Sequence, residues 1–363
     1  MNYICSKCSL TMDVATKKSR CDCGGLWKLD FKPPKFDLSL LDRDNWSIFR
    51  YRVFMPLLGN EWENISLGEG MTPVIQFNED VLLKMDYFMP TLSFKDRGAA
   101  VLISHCKSIG VDSVVQDSSG NAGNSVAAYC AKAGIDCEIF VPEGTSPKKI
   151  DMIISHNAKV NIVPGSRDNC ANVCRAKSDR EGKYYANHVY NPFFYEGTKT
   201  YIYEVYEQLN RIPENIFIPL GNGTLFIGII KALEEFIESN IIDKMPRIIA
   251  VQSEYCSPFA KAVEMKTVKP VKVIPKPTMA EGIAIGEPMR GGEILEYIYK
   301  YNIEVITAPE TRILEARALL ASKGIYIEHT TAATYAAYMK YCELNGRTPA
   351  LIPMCGAGLK SDH

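Results

Sequence analysis

The chain has 363 residues, of which 47% are hydrophobic and 23% are charged, as is usual for a globular protein. Its formal net charge is −1, so the composition gives no electrostatic reason to expect binding to nucleic acid or to an anionic membrane. No apolar run reaches the roughly 18 residues of a membrane span, and the N-terminus lacks the apolar core of a signal peptide. The length exceeds what one hydrophobic core usually holds, which predicts two domains.

The 12 cysteines are scattered along a long chain, whereas a secreted disulfide scaffold is short and dense in cysteine, so a reducing cytoplasm is expected. Four of them form two close pairs, Cys5 with Cys8 and Cys21 with Cys23. Two such pairs around a hairpin-length segment suit tetrahedral coordination of a structural Zn²⁺, which predicts a zinc-ribbon-like segment over residues 1–31. The second pair is CxC rather than CxxC, and four cysteines without a metal remain the alternative.

Strand-like and helix-like segments alternate after a proline-containing linker at residues 32–36. This alternation predicts an α/β fold with mostly parallel sheets. The predicted strands are short apolar or β-branched runs at residues 113–116, 137–141, 159–163, 217–220, 248–252 and 350–353. The predicted helices cover residues 99–108, 122–133 and 146–155, with another beginning near residue 226.

The segment PTLSFKDRG, residues 90–98, places Lys95 at the start of a predicted helix. The positive end of the helix macrodipole disfavours a protonated amine, and the neutral amine is the form that reacts with carbonyl groups. A solvated cluster of lysine, aspartate and arginine is the alternative interpretation of this segment.

Two loops rich in glycine and asparagine each join a predicted strand to a predicted helix: SSGNAGNS at residues 118–125 and GNGT at residues 221–224. Free backbone N–H groups at a helix start favour binding of an anion, although a tight capped turn would also explain the first loop. Neither loop matches GxGxxG or GxxxxGK[ST], so dinucleotide and nucleoside triphosphate binding are not indicated. The segment MCGAGLK, residues 354–360, places Cys355 after the last predicted strand, near the same sheet edge if the sheet is parallel.

Together these motifs resemble those of threonine synthase-like enzymes, which are fold-type II enzymes of the tryptophan synthase β superfamily that use pyridoxal 5′-phosphate (PLP). The motifs that carry the resemblance, in the same order, are LGEGMTP (67–73), SFKDRG (93–98), SSGNAGNS (118–125), GNGT (221–224), EGIAIG (281–286) and CGAGLK (355–360). They span nearly the whole chain, and SFKDRG with SSGNAGN is the most specific pair. The N-terminal cysteine pairs also resemble the zinc ribbon that many of these enzymes carry.

The resemblance implies two open, mostly parallel sheets flanked by helices, beside the small N-terminal zinc-ribbon-like segment. It predicts a large PLP-binding domain over residues 37–91 and 200–363, and a small mobile domain over residues 92–199. A homodimer without a nucleic-acid or membrane partner is expected.

The resemblance also implies a cofactor role for each motif. Lys95 would carry PLP as a Schiff base and move protons in catalysis. Asn121 would contact the phenolic oxygen of PLP, and Cys355 would face its pyridine nitrogen. The phosphate of PLP would be held by Gly221, Asn222, Gly223 and Thr224.

The substrate residues match the family less well than the cofactor residues do. The substrate carboxylate would be received by Ser118, Ser119, Gly120 and Asn121. Threonine synthases usually end in TGHGLKD and carry GNxDDALR, whereas this chain has CGAGLKSD and GSRDNCAN (165–172). An Arg therefore stands at position 167, where it is predicted to bind an anionic group of the substrate, and Glu328-His329 replaces a Glu-Pro pair. His188 and His329 lie in regions that the family places near the substrate, and a structural role is the alternative for both.

These features predict a PLP-dependent carbon–oxygen lyase or synthase of amino-acid biosynthesis, acting on an activated, O-phosphorylated small amino acid by β- or γ-elimination or replacement. Cysteate synthase-like β-replacement and serine or threonine ammonia-lyase activity are the enzymatic alternatives. A catalytically silent homologue that binds an amino acid is the other class, and the intact Lys95 argues against it.

Overall fold

The computed structural model describes residues 1–360, which pack as two compact units. The first unit comprises Met1–Met71 and Met89–Thr200. The second unit comprises Thr72–Phe88 and the described chain from Tyr201 onward. The domain limits implied by the family resemblance remain a prediction beside this division.

The strands and helices alternate along most of the chain, as the sequence predicts. The strands are β1 (Asn2–Cys5), β2 (Thr11–Asp13), β3 (Trp27–Leu29), β4 (Val74–Gln76), β5 (Val81–Lys84), β6 (Ser113–Gln116), β7 (Asp136–Pro142), β8 (Lys159–Val163), β9 (Tyr184–Tyr185), β10 (Asn215–Pro219), β11 (Arg247–Ser253), β12 (Glu304–Ala308) and β13 (Ala350–Pro353). The helices are α1 (Trp62–Ile65), α2 (Lys95–Ser108), α3 (Asn121–Ala133), α4 (Pro147–Ile154), α5 (Arg167–Glu181), α6 (Phe193–Thr198), α7 (Thr200–Leu209), α8 (Thr224–Glu238), α9 (Pro258–Glu264), α10 (Gly291–Lys300), α11 (Ile313–Ser322) and α12 (His329–Asn345).

The first unit holds two sheets. The small sheet is antiparallel, in the order β2-β1-β3; Cys5 ends β1, and Cys8, Cys21 and Cys23 lie in the segments that connect its strands. The larger sheet has the order β8-β7-β6-β9, and all its neighbouring strands are parallel. Its strands are runs of apolar and β-branched residues, and Val115, Phe140 and Val163 pack in one buried cluster with Cys170 and Cys174 of α5.

The second unit is built on a six-stranded sheet in the order β12-β11-β10-β13-β5-β4. Among the strand pairs of this sheet, only the edge pair β4–β5 is antiparallel. The buried cluster on this sheet includes Phe217, Ile249 and Ile352 from the strands and Ala333 and Ala336 from α12. The prediction of two mostly parallel sheets with flanking helices is therefore confirmed.

The helix α2 begins at Lys95, which is earlier than the start near residue 99 predicted from composition. It packs closely on α6 because glycines stand where the two helices meet. A Cβ at Gly98 would lie 2.3 Å from the ring of Phe194, and a Cβ at Gly197 would lie 1.9 Å from the carbonyl oxygen of Arg97. The backbone can approach this closely only where no side chain intervenes.

Candidate active site

Lys95 is the first residue of α2, and its neighbour Asp96 fixes that helix start in place. The buried carboxylate of Asp96 accepts hydrogen bonds from the backbone N–H of Thr91, at 2.7 Å, and from the hydroxyls of Thr91 and Ser125. Ser125 belongs to α3, so Asp96 ties the start of α2 to the start of α3. Lys95 itself is half-buried, with Nζ 4.1 Å from the ring centroid of Phe94.

The SSGNAGNS loop joins β6 to α3, and its backbone is tightly packed at Gly123 but open at Gly120. The carbonyl oxygen of Ser118 would lie 1.8 Å from a Cβ at Gly123, so only glycine fits there. No heavy atom of residues 1–360 lies within 4 Å of a Cβ built at Gly120, the N-cap of α3. Within the described chain no side chain caps this helix start, which leaves its first N–H groups suited to an anion.

Several buried polar atoms of the first unit have no hydrogen-bond partner among residues 1–360. They include Ser93 Oγ, both amide atoms of Gln116, Asn124 Oδ1 and His188 Nδ1, as well as atoms away from the motifs such as Arg50 Nε and His105 Nδ1. Three of these residues lie within or next to the SFKDRG and SSGNAGNS motifs, and an unpaired buried polar group costs about 1–3 kcal/mol. Orphaned groups at these motifs are what a site completed by a polar ligand leaves behind, so the residues fit a bound cofactor and substrate.

The GNGT loop joins β10 to α8 in the second unit. Gly223 has φ of +79° and is the N-cap of α8, again without a capping side chain from the described residues. A Cβ at Gly221 would lie 2.9 Å from the Cα of Ile283 and 3.0 Å from the carbonyl oxygen of Gly282. The EGIAIG segment therefore packs directly on this loop, and the free N–H groups of the helix start suit a phosphate.

Cys355 leaves the sheet of the second unit beside the GNGT loop. β13 and β10 are parallel neighbours with Ile216 opposite Leu351, which puts Gly221 level with Gly356. The expectation that Cys355 lies at the same sheet edge as this loop is confirmed. Both groups emerge at the carboxyl ends of parallel strands, where open α/β sheets bind ligands.

Sequence reasoning assigned no role to Glu328, whose carboxylate lies next to Cys355. The backbone N–H of Glu328 donates to the carbonyl oxygen of Gly356 at 3.0 Å. A Cβ at Gly356 would lie 2.4 Å from a carboxylate oxygen of Glu328. The only sequence signal was that Glu328-His329 departs from the family's Glu-Pro pair.

His329, the other half of that departure, packs against an arginine. Its Nε2 lies 3.0 Å from Nη1 of Arg317, and because a guanidinium only donates, Nε2 is the acceptor. Arg317 also donates to the carbonyl oxygen of Ile327 at 3.0 Å and to the hydroxyl of Tyr326 at 2.8 Å. These contacts favour the structural interpretation of His329.

Arg167 opens α5, directly after the strand β8 and its turn. It is exposed, and its guanidinium has no ion-pair or hydrogen-bond partner among the residues that the structure describes. Cys170, one helical turn later, packs with Val115, Tyr185 and Val189. The first turn of α5 therefore stands beside the ends of β6 and β9 in the first unit.

The Sγ atoms of the four N-terminal cysteines lie close together beside the small sheet. Their Sγ atoms all lie within 4.8 Å of one another, and three pairs are separated by 3.4, 3.4 and 3.6 Å. Four thiolates about 2.3 Å from a central Zn²⁺ would be about 3.8 Å apart, so the cluster fits one tetrahedral ion. A Cβ at Gly25 would lie 2.4 Å from Sγ of Cys5, which explains the glycine beside the second cysteine pair.

The architecture is that of a fold-type II PLP enzyme. Each of the two units holds a mostly parallel sheet flanked by helices, a lysine stands at a helix start, and two loops suited to anions lie at strand ends. The family described as "Pyridoxal-phosphate dependent enzyme" matches residues 65–356. The chain belongs to this family. Each motif named above from residue 67 to Cys355 lies inside the matched region.

Relatives of known activity indicate which kind of PLP enzyme the chain resembles. The threonine synthase of Methanocaldococcus jannaschii is 31% identical, covering 93% of this chain and 87% of that protein. The threonine synthase of Methanosarcina acetivorans is 28% identical, covering 99% and 88%. The processed form of threonine deaminase isoform 2 from Solanum lycopersicum shares the fold, with a TM-score of 0.72 at 20% identity over 90% of this chain and 86% of that one. The protein is a threonine synthase-like, PLP-dependent lyase.

None of the helices in residues 1–360 is both long and apolar enough to cross a membrane.

Glu69 of the LGEGMTP motif is a buried carboxyl group within the first unit. Burial raises its pKa to about 7, even though it accepts hydrogen bonds from the backbone N–H of Leu67 at 2.8 Å and from the hydroxyls of Tyr129 at 2.8 Å and Ser66 at 3.0 Å. Tyr129 lies in α3, so this carboxyl joins the motif to the helix that follows the SSGNAGNS loop.

Glu69 makes folding stability depend on pH. Its folded pKa of about 7 lies above the ordinary 4.5, so its contribution is complete below pH 4.5 and is lost as pH rises to about 7. Glu69→Gln cannot ionise, and the stability of the parent relative to this variant should fall by about 3 kcal/mol across that window. Denaturant unfolding between about pH 5 and 8 measures this, with the exposed Glu63→Gln as a control that keeps the parent's pH dependence. Parallel pH profiles for the parent and Glu69→Gln would contradict the prediction.

Proposed function

We propose that this lyase acts on a small amino acid whose side chain carries an O-phosphate or a comparably acidic leaving group, by β- or γ-elimination or replacement. The observation that carries the proposal is the Asp96 link between the helix start bearing Lys95 and the helix start bearing the SSGNAGNS loop. This link supports the proposal because Lys95, which would be the reactive amine, and the SSGNAGNS loop, which would bind the carboxylate, lie at the two helix starts that it joins. The altered residues at 165–172 support a substrate other than that of the family's threonine synthases.

Bound PLP would supply an electron-withdrawing ring that stabilises negative charge on the Cα of an attached amino acid. Lys95 would hold PLP covalently and carry the proton removed from Cα. Asn121 would contact the phenolic oxygen. In the second unit, the backbone N–H groups of residues 221–224 would bind the phosphate, with the hydroxyl of Thr224. Cys355, a neutral thiol, would face the pyridine nitrogen without enforcing its protonation.

The substrate would be held by the first unit. The backbone N–H groups and hydroxyls of Ser118 and Ser119, with Gly120 and Asn121, would bind its carboxylate at the uncapped start of α3. Arg167, exposed and unpaired in the described chain, would bind the departing anion through charge-assisted hydrogen bonds. A good leaving group is required because these residues supply no strong acid to protonate a hydroxide.

The cysteine cluster would hold one structural Zn²⁺, bound by Cys5, Cys8, Cys21 and Cys23. Four thiolate ligands leave no open position on a tetrahedral ion, so its contribution would be to folding. We also propose a cytoplasmic homodimer, in line with the thiols expected of a reducing compartment.

Lys95 should be the residue that carries the cofactor. Borohydride reduction of the PLP-loaded protein, followed by peptide mapping, should place the pyridoxyl group on Lys95, and Lys95→Ala should abolish the label. Lys84 is a useful internal comparison because it is buried in an ion pair with Glu204 at 2.6 Å. A pyridoxyl group on Lys84 or Lys360 would refute the assignment.

Arg167→Ala should lower kcat/KM for the preferred O-phosphorylated amino acid by roughly tenfold to a hundredfold, the usual cost of losing a hydrogen bond to a charged group. The matched control is Arg180→Ala, which removes an exposed arginine from the other end of α5. Turnover of O-phospho-L-homoserine, O-phospho-L-serine, L-threonine and L-serine measures both the rate and the preference. If plain serine or threonine is deaminated as fast as any phosphorylated analogue and Arg167→Ala is silent, ammonia-lyase activity replaces this proposal.

Metal analysis of the purified protein should find one zinc per chain, and Cys21→Ser should lose it. The cysteine Cys342 lies outside the cluster, so Cys342→Ser should retain the metal. Equal zinc in Cys21→Ser and in the parent would exclude the four-thiolate site.

A further inference from the structure

His188 follows the strand β9, at the edge of the sheet where the SSGNAGNS loop begins. β9 and β6 are parallel neighbours, and Tyr185 pairs with Val115. Three residues after this pair, the chain reaches His188 beyond the end of β9 and Ser118 beyond the end of β6. Because adjacent strands lie about 4.8 Å apart and run in the same direction, His188 and the loop leave the sheet side by side.

The turn that carries His188 is held by the side chain of Asn187. Its Oδ1 accepts from the backbone N–H groups of Val189, at 2.8 Å, and Tyr190, at 3.2 Å. Its Nδ2 donates to Asp117 at 2.7 Å. Asp117 directly precedes Ser118, so one hydrogen bond fixes the position of His188 relative to the start of the SSGNAGNS loop.

The ring of His188 lies against the aromatic side chain that packs on α2. Its centroid is 5.7 Å from that of Phe194, and the ring of Phe194 covers Gly98. Gly98 stands one helical turn after Lys95, so both residues are on the same side of α2. A chain of contacts thus leads from His188 to the helix start that bears Lys95.

Two cations influence the protonation of His188. Burial, and then the positive charges of Lys95 and Arg167, lower the pKa of His188 well below its ordinary value. The imidazole is therefore neutral near pH 7 and has one N–H to donate. No carboxylate of residues 1–360 hydrogen-bonds to it.

His188 lacks the hydrogen bonds that explain a structural histidine. Its Nδ1 is buried without a partner among the described residues, and the ring makes no hydrogen bond with any of them. His105 of the same unit also has an unpaired buried Nδ1, but it differs from His188 because its Nε2 lies 3.3 Å from the hydroxyl of Tyr3 and its ring stacks on Phe193 at 3.7 Å. A buried polar group left unpaired in a native structure calls for an explanation, and a ligand is one.

We propose that the imidazole of His188 hydrogen-bonds to the anionic group on the side chain of the substrate and is a specificity-determining residue of the enzyme. The inference deepens the proposed function and rests on it. Arg167 places a positive charge near a neutral donor, which is an arrangement suited to an anion such as a phosphate. His188 acts here by hydrogen bonding and not as an acid, because it holds no proton beyond its neutral form.

The test compares ligands that do and do not carry the side-chain group. The probes are O-phospho-L-serine, O-phospho-L-homoserine and L-alanine, whose binding is followed by the change in cofactor absorbance of the PLP-loaded protein. His188→Leu should weaken binding of the tighter phosphorylated probe about tenfold or more and leave L-alanine within about twofold. His188→Gln, which restores an amide donor, should recover most of the loss. The control is His156→Leu, a histidine of the same unit after α4, which should match the parent.

Thermal unfolding of the cofactor-free variants separates a ligand contact from a structural role. Leucine replaces an unpaired buried nitrogen by apolar surface, so His188→Leu should unfold at the same temperature as the parent or higher. A clear drop in that temperature, or equal weakening for L-alanine and the phosphorylated probe, would overturn the inference. So would unchanged affinity for the phosphorylated probe in His188→Leu.

The failure of this inference differs from failure of the proposed function. If Lys95 takes the pyridoxyl label but the parent binds neither phosphorylated probe, the substrate class is wrong and the role of His188 falls with it. If Lys95 takes no label, the assignment of Lys95 as the cofactor-bearing residue fails. If the parent binds a phosphorylated probe and His188→Leu binds it as tightly, only the assignment of His188 is lost.

Discussion

The buried carboxylate of Asp96 is the constraint on which the candidate site of the first unit depends. It accepts three hydrogen bonds, two from Thr91 and one from Ser125. Bonds to a charged acceptor contribute about 1.5–3 kcal/mol each, more than neutral pairs do. With them, the start of α2 cannot move independently of the start of α3, so Lys95 keeps its place beside the SSGNAGNS loop. Asp96 also lies in the first turn of α2, where a negative charge is favourable.

Close backbone packing through glycine supports the same arrangement. Gly98 and Gly197 let α6 lie directly on α2, and Gly123 lets α3 turn under the carbonyl of Ser118. In the second unit Gly221 lets the EGIAIG segment lie on the phosphate-suited loop. At Gly123, Gly197 and Gly221 main chain lies against main chain, and at Gly98 the ring of Phe194 occupies the space that a side chain would need. The glycine-rich motifs are thus explained by packing as well as by ligand binding.

Arg167, at the start of α5 in the first unit, is a cation without a carboxylate partner among residues 1–360. Arg167 is unpaired among residues 1–360, whereas Glu138, further along the same sheet, is paired by Lys177 and Lys183. Those lysines, which outweigh the effect of its partial burial, hold the pKa of Glu138 at about 2. The start of α5 thus presents an exposed cation that has no carboxylate partner among the described residues. It agrees with an anionic substrate and with the departure from the family at residues 165–172.

The sequence by itself determined the strands β6, β8 and β13 to the residue, because each is a short apolar or β-branched run bounded by turn residues. It also predicted a cofactor lysine at Lys95, two anion-binding loops and a zinc site at the cysteine pairs, since each of these motifs consists of residues close together in the chain. Only the tertiary structure decided that the start of α2 is tied to α3, because the hydroxyl of Ser125 donates to Asp96 from a distant part of the chain. Likewise, strand register put His188 level with Ser118, and packing put Glu328 against Gly356. These contacts join residues far apart in the chain, and local residue patterns carry no information about which distant segments will meet.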